Sequence, residues 1–94
     1  MKYLFDYSLA KDEILRQARG ISFEDVIKAI DEGGLIDNID HFNNEEYPHQ
    51  MIFVVKVLNY IYAVPYVLDH KRKVIFLKTI YPSRKLREIY HEKR

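Results

Sequence analysis

Val74-Ile75-Phe76-Leu77-Lys78-Thr79-Ile80-Tyr81-Pro82-Ser83-Arg84-Lys85-Leu86-Arg87-Glu88-Ile89-Tyr90 reads as a strand that runs straight into a short helix. The apolar run of residues 74–80 stops at Pro82. Ser83 is a good N-cap, and Leu86, Ile89 and Tyr90 then recur at helical spacing. The first turn of this helix holds Arg84 and Lys85, with Arg87 one turn along. The free amides of a helix N-terminus carry partial positive charge and favour anions, so cations there run against the usual preference. Amides, guanidinium and ammonium pointing one way would make a phosphate site. The plainer reading leaves Arg84 and Lys85 in solvent, or pairs them with Glu88 and Glu92.

Working back from this stretch, Asp69-His70-Lys71-Arg72 is a polar turn, and residues 60–68 form the strand before it. Pro65 within that strand implies an edge, a bulge or a locally missing ladder bond. Asn59 marks a turn after residues 51–58, a near-continuous apolar run expected to be a central strand covered on both faces. Residues 41–50 are polar and read as a loop, and Leu35-Ile36-Asp37-Asn38-Ile39 reads as the first strand of the sheet. Ile21-Ser22-Phe23-Glu24-Asp25-Val26 is the clearest local signal. Ser22 caps a helix, Asp25 stands in for the capping-box acid, and Ile21 and Val26 are spaced as a hydrophobic staple. That helix buries Phe23, Val26, Ile27 and Ile30 and ends at Gly33-Gly34. An earlier helix, capped by Asp6 or Ser8, runs to about Ala18 with Leu9, Ile14, Leu15 and Ala18 inward, and Gly20 follows as its C-cap. Residues 2–5 alternate weakly as a short edge strand. The expected class is α+β: a small curved antiparallel sheet of three to four strands, two N-terminal helices and one C-terminal helix.

With 94 residues and 48% hydrophobic content, the chain has room for one domain with a small core, spanning 1–94. It has no cysteine, which excludes a disulfide scaffold and thiolate chemistry. No signal pattern opens the sequence, and the longest apolar run is broken by Lys56, so a cytoplasmic protein without a membrane anchor is expected. The net charge of +1 conceals a split. Residues 1–47 carry 5 Lys/Arg against 11 Asp/Glu, and residues 48–94 carry 10 against 3. The second half has the balance of a surface that meets a polyanion.

Other chemistry is sparse. His41, His49, His70 and His91 show no ligand spacing, so no metal or other cofactor is expected. Asp37 with Asp40, and Glu45 with Glu46, sit in or near a loop, where solvated acids are commoner than catalytic ones. No glycine-rich phosphate loop, Ser/His/Asp arrangement or dinucleotide fingerprint is present. Tyr60, Tyr62 and Tyr66 share a strand face by period two. Such a stripe either stacks on unpaired bases or forms a half-buried sheet face with its hydroxyls at the rim.

Two sets of residues carry a resemblance. Phe5-Asp6, Lys11-Asp12 and Arg19-Gly20-Ile21-Ser22-Phe23-Glu24-Asp25 resemble the opening of the BrnT-type toxins of bacterial toxin–antitoxin systems. Ile80-Tyr81-Pro82-Ser83-Arg84-Lys85, followed by Glu88 and Tyr90, resembles that family's ending. Asp12 stands where the family has Asn, Arg19 where it has His, and Tyr81-Pro82 where it has a smaller pair. The resemblance implies a RelE/ParE-like fold and a metal-independent endoribonuclease acting on mRNA or ribosome-bound RNA. It also implies arrest of translation and neutralisation by a cognate antitoxin encoded nearby. Such cleavage uses the substrate's 2′-hydroxyl as nucleophile, a base to deprotonate it, cations to stabilise the phosphorane, and an acid for the leaving 5′-oxygen. The expected catalytic set is Arg84 and Lys85 for charge, with His49 or Tyr90 for proton transfer. Lys11, Ser83, Arg87 and Lys78 are the expected RNA- or phosphate-binding residues. The alternative is a non-catalytic module that uses the basic C-terminal half to bind nucleic acid or an acidic protein.

Overall fold

The computed structural model describes residues 3–90. Lys2, His91 and Glu92, which figured in the expectations above, lie outside them. The element order is β1 (Leu4–Tyr7), α1 (Leu9–Arg19), α2 (Phe23–Asp31), β2 (Leu35–Asp40), β3 (Met51–Val57), β4 (Tyr60–Asp69), β5 (Val74–Leu77), β6 (Tyr81–Pro82) and α3 (Arg84–Tyr90). The strands form one open six-stranded sheet in the order β1-β5-β4-β3-β2, with β6 also pairing to β4. The class is α+β, but the sheet is mixed and larger than the three to four antiparallel strands expected. The difference lies at its ends. β1 pairs with β5 in parallel, Leu4 opposite Val74 through Tyr7 opposite Leu77. The single strand expected over residues 74–80 ends at Leu77 as β5, and the chain splits off a separate short strand, β6, at Tyr81–Pro82.

That split has a local cause. Between the pairs Tyr66–Leu77 and Ala63–Tyr81, β4 advances three residues while its partner advances four. The extra residue bulges out opposite Pro65, which has no amide to donate to the ladder. Lys78 N–H still reaches the Pro65 carbonyl at 2.8 Å, and Ile80 turns fully inward.

Period-two alternation sorts the central strands onto two faces. Phe53 and Val55 of β3, with Val64 and Tyr66 of β4, pack against Leu15, Ile21, Phe23 and Val26 from the α1–α2 side. Ile52 and Val54, with Ile61 and Ala63, pack against Leu86 of α3 on the other side. Ile52, Phe53, Val54 and Val55 are all buried, which explains the unbroken apolar run.

α2 forms as its sequence indicates. Ser22 Oγ accepts from Asp25 N–H, the Asp25 carboxylate accepts from Ser22 N–H, and Ile21 and Val26 are both buried. α1 faces another way from expectation. Ser8 is its cap, and Leu9, Ile14 and Ala18 are exposed, while Leu15 and Asp12 are buried. Asp12 and Leu15 lie on one helical stripe with Ser8 and Arg19 at its exposed ends, and polar bonds hold that side against the core. Asp12 Oδ1 accepts from Phe23 N–H at 2.8 Å, and the Arg19 guanidinium donates to the Ile80 carbonyl. After α2 the chain passes close under β3. Gly34 bonds Ala29 and Lys56 through its backbone, and a Cβ there would stand 2.6 Å from the Lys56 carbonyl oxygen. No helix among the described residues is long and apolar enough to cross a membrane.

Candidate functional site

α3 begins where Ser83 caps it. Ser83 Oγ accepts from Leu86 N–H at 3.2 Å, and the Ser83 carbonyl accepts from Arg87 N–H at 2.9 Å. Leu86, 1% exposed, pins the helix to the sheet. The three-residue offset then puts Arg84 and Arg87 on one flank, and Lys85 on another. β6 lies beside the start of β4, with Tyr62 opposite Pro82, so α3 starts next to Tyr60 and Ile61. These residues enclose a cleft of about 240 Å³, lined by Tyr60, Ile61, Pro82, Ser83, Arg84 and Arg87.

The Arg87 guanidinium stands 5.2 Å from the Tyr60 ring centroid, and Tyr62 meets Tyr60 edge-on at 5.6 Å. A guanidinium held over a ring keeps in-plane N–H donors free to bind anion oxygens. Among the described residues, no carboxylate comes within 4.0 Å of Arg84, Lys85 or Arg87. The ion pairs found there are Arg16–Asp12 and Arg72–Asp69. The pairing with Glu88 considered above is therefore not made. A larger groove, about 700 Å³, adjoins the cleft across Tyr60 and Arg87 and runs between α2 and the β3–β4 hairpin.

The remaining expected site residues are dispersed. Lys85 Nζ lies 5.5 Å from the Phe42 ring, away from the cleft. His49 is exposed in the loop between β2 and β3 and does not line the cleft. The Tyr90 hydroxyl donates to Asp37 Oδ2 at 2.6 Å, tying the end of α3 to β2. That bond to a carboxylate, more than burial, raises the phenol's pKa above its ordinary value, so Tyr90 keeps its proton. Lys11 sits on α1, across the sheet from α3. Lys78 is exposed at the bulge, with its Nζ 5.5 Å from the Phe76 ring. The structure thus brings together Ser83, Arg84 and Arg87, and adds Tyr60.

The tyrosine stripe divides along its length. Tyr66 is buried, stacked 3.8 Å from Phe53, with its hydroxyl donating to Asn38. Tyr62 is half-buried. Tyr60 alone is exposed, at the end of the sheet. Its meeting with Arg87 depends on the β4–β6 register, which no local sequence signal gives. Among the described residues, no group of three His, Asp or Glu side chains could hold a metal ion. Searches of known protein families, characterised proteins and solved structures returned no match to this chain.

Proposed function

We propose that this chain is a toxin-like endoribonuclease of the RelE/ParE type that cleaves mRNA without a metal and arrests translation. A cognate antitoxin would neutralise it by covering the basic surface. One observation carries the reading: two guanidinium groups with no carboxylate partner among the described residues share a cleft with a serine hydroxyl and an aromatic ring. That is the equipment for a phosphodiester, and cations in the first turn of a helix run against its dipole. The paired terminal motifs and the concentration of basic residues in the second half support it. So does the arrangement of two N-terminal helices on one sheet face and a C-terminal helix on the other.

In this reading Arg84 and Arg87 hold the non-bridging oxygens of the scissile phosphate. The 2′-oxygen attacks phosphorus, its proton passes to a base, and the 5′-oxygen departs with a proton, leaving a 2′,3′-cyclic phosphate and a 5′-hydroxyl. His49 and Tyr90 are the proton-transfer candidates by resemblance, and within the cleft the phenol of Tyr60 is the available group. The second reading, a non-catalytic RNA-binding module, is favoured by one specific observation: neither His49 nor Tyr90 lines the cleft.

Induced expression with RNA analysis separates the two. Growth arrest with fragmented mRNA, relieved by Arg84→Ala in a folded and expressed variant and by co-expression of the neighbouring antitoxin gene, is the expected result. Salt-sensitive RNA retention by the purified protein without any cleavage would establish the binding module instead. Arrest without RNA loss would move the target away from RNA.

A further inference from the structure

The groove beside the cation cleft has a composition of its own. It measures about 700 Å³, within the range of roughly 300–1,000 Å³ typical of small-molecule sites. Ile21, Val57, Leu58 and Tyr62 give it apolar and aromatic walls, and Asp25 and Glu32 supply carboxylates. Tyr60 and Arg87 line both spaces, so the groove and the cleft adjoin.

Leu58 is the odd residue of the set. It opens the two-residue turn between β3 and β4 with φ 58°, in the left-handed region that disfavours a side chain, and it is 92% exposed. Glycine or asparagine would suit that position better for folding alone. The fold gives this apolar side chain at the lip of the groove almost no cover, which leaves it open to a ligand there.

We propose that this groove is a nucleobase subsite. An unpaired RNA base enters between Leu58 and Tyr62 while its own phosphate rests on Arg84 and Arg87. This rests on the reading that the RNA backbone occupies the cation cleft. Charge sets the direction of the strand. The groove is lined by both signs, Asp25 and Glu32 against Lys28 and Arg87. Among the described residues, the only charged ones lining the cleft are Arg84 and Arg87, so the phosphate goes to the cleft. Glu32 can accept a hydrogen bond from the exocyclic amine of adenine or cytosine, a contact that uracil lacks. Apolar walls and an aromatic face supply stacking, which does not depend on pairing partners.

The test is a set of two-dimensional NMR titrations of the full chain with adenosine, cytidine and uridine 5′-monophosphates, ribose 5-phosphate and inorganic phosphate. The expected result is that the adenine and cytosine nucleotides bind at least about fivefold tighter than ribose 5-phosphate, the lower end of what one stacked base contributes. Resonances of Ile21, Val57 and Tyr62 move with those of Ser83 and Arg87. Leu58→Asn, which suits the turn and keeps the fold, weakens nucleotide binding and leaves inorganic phosphate unaffected. Equal affinity for nucleotides and ribose 5-phosphate, with shifts confined to residues 83–87, overturns the proposal. So does a groove that responds only to an added protein partner. Nucleotides in the groove without RNA cleavage would leave the subsite standing and remove the nuclease. Cleavage with an unmoved groove would do the reverse.

Discussion

The N-termini of α2 and α3 are built from similar parts and differ in what those parts face. At α2, Ser22 and Asp25 satisfy one another's backbone amides, Asp12 reaches across from α1 to take the Phe23 N–H, and Glu24 and Asp25 complement the helix dipole. These polar groups are engaged within the protein. At α3, Ser83 also caps the helix, by a single side-chain bond, yet no acid stands in the first turn and Arg84 and Lys85 take that place. The first terminus is complete without a ligand. The second holds charge that no carboxylate among the described residues pairs with, and this contrast carries the functional reading.

Breaking the comparison from its structural side gives the largest effect. Leu86→Ala removes the side chain that seats α3 on the sheet and should cost about 2–5 kcal/mol of unfolding free energy in urea denaturation. If it cost under ~1 kcal/mol, α3 would not be held as described. Next is Asp12→Ala, which strips the buried Phe23 amide of its acceptor and should cost about 1–3 kcal/mol by the same measurement. At α3 the sign reverses. Arg84→Glu places an acid where the dipole favours one and should raise stability by roughly 0.3–1 kcal/mol while abolishing RNA retention on a filter. A variant that lost stability and kept RNA would refute the contrast between the two termini.

The smallest effect is one of pH. The Tyr7 hydroxyl donates to Glu24 on α2 at 2.6 Å, and chiefly through that bond its pKa is pushed up from 10.0 to about 12. A folded value above the unfolded one means that the phenol's contribution is complete below about pH 10 and fades as pH rises through 12. Tyr90 on Asp37 shifts in the same direction. Stability measured from neutral to strongly alkaline pH should fall across that window, and Tyr7→Phe should flatten part of the fall.

What the sequence made legible was whatever local chemistry decides. The capping box at Ser22, the two-faced burial of β3 and the strand-to-helix passage at Ser83 all follow from neighbours a few residues apart. Hydropathy alone misplaces the inner face of α1, because Leu9 and Ile14 outweigh Asp12 on any such count. The bond that turns α1 over joins Asp12 to Phe23, eleven positions away. The parallel pairing of β1 with β5 spans the chain and has no local signature. For the site, the offset between Arg84 and Arg87 was readable, and it also places Lys85 on another flank. Tyr60 stayed hidden as Arg87's platform, since that contact requires the register between β4 and β6.

That register depends on the single extra residue opposite Pro65. Side chains alternate between the faces of a sheet, so one residue more or fewer between Leu77 and Tyr81 exchanges inside for outside in everything that follows. The bulge therefore acts as a phase setter. It determines that the chain delivers its last helix to the face opposite α1 and α2, with its arginines toward Tyr60. A one-residue deletion at Lys78 or Thr79 would strand Leu86 on the wrong side. A compensating deletion of a second residue would restore the facing and shorten only the reach. Length variation at this exposed corner should thus be tolerated in twos and not in ones, a parity rule imposed by the pleat.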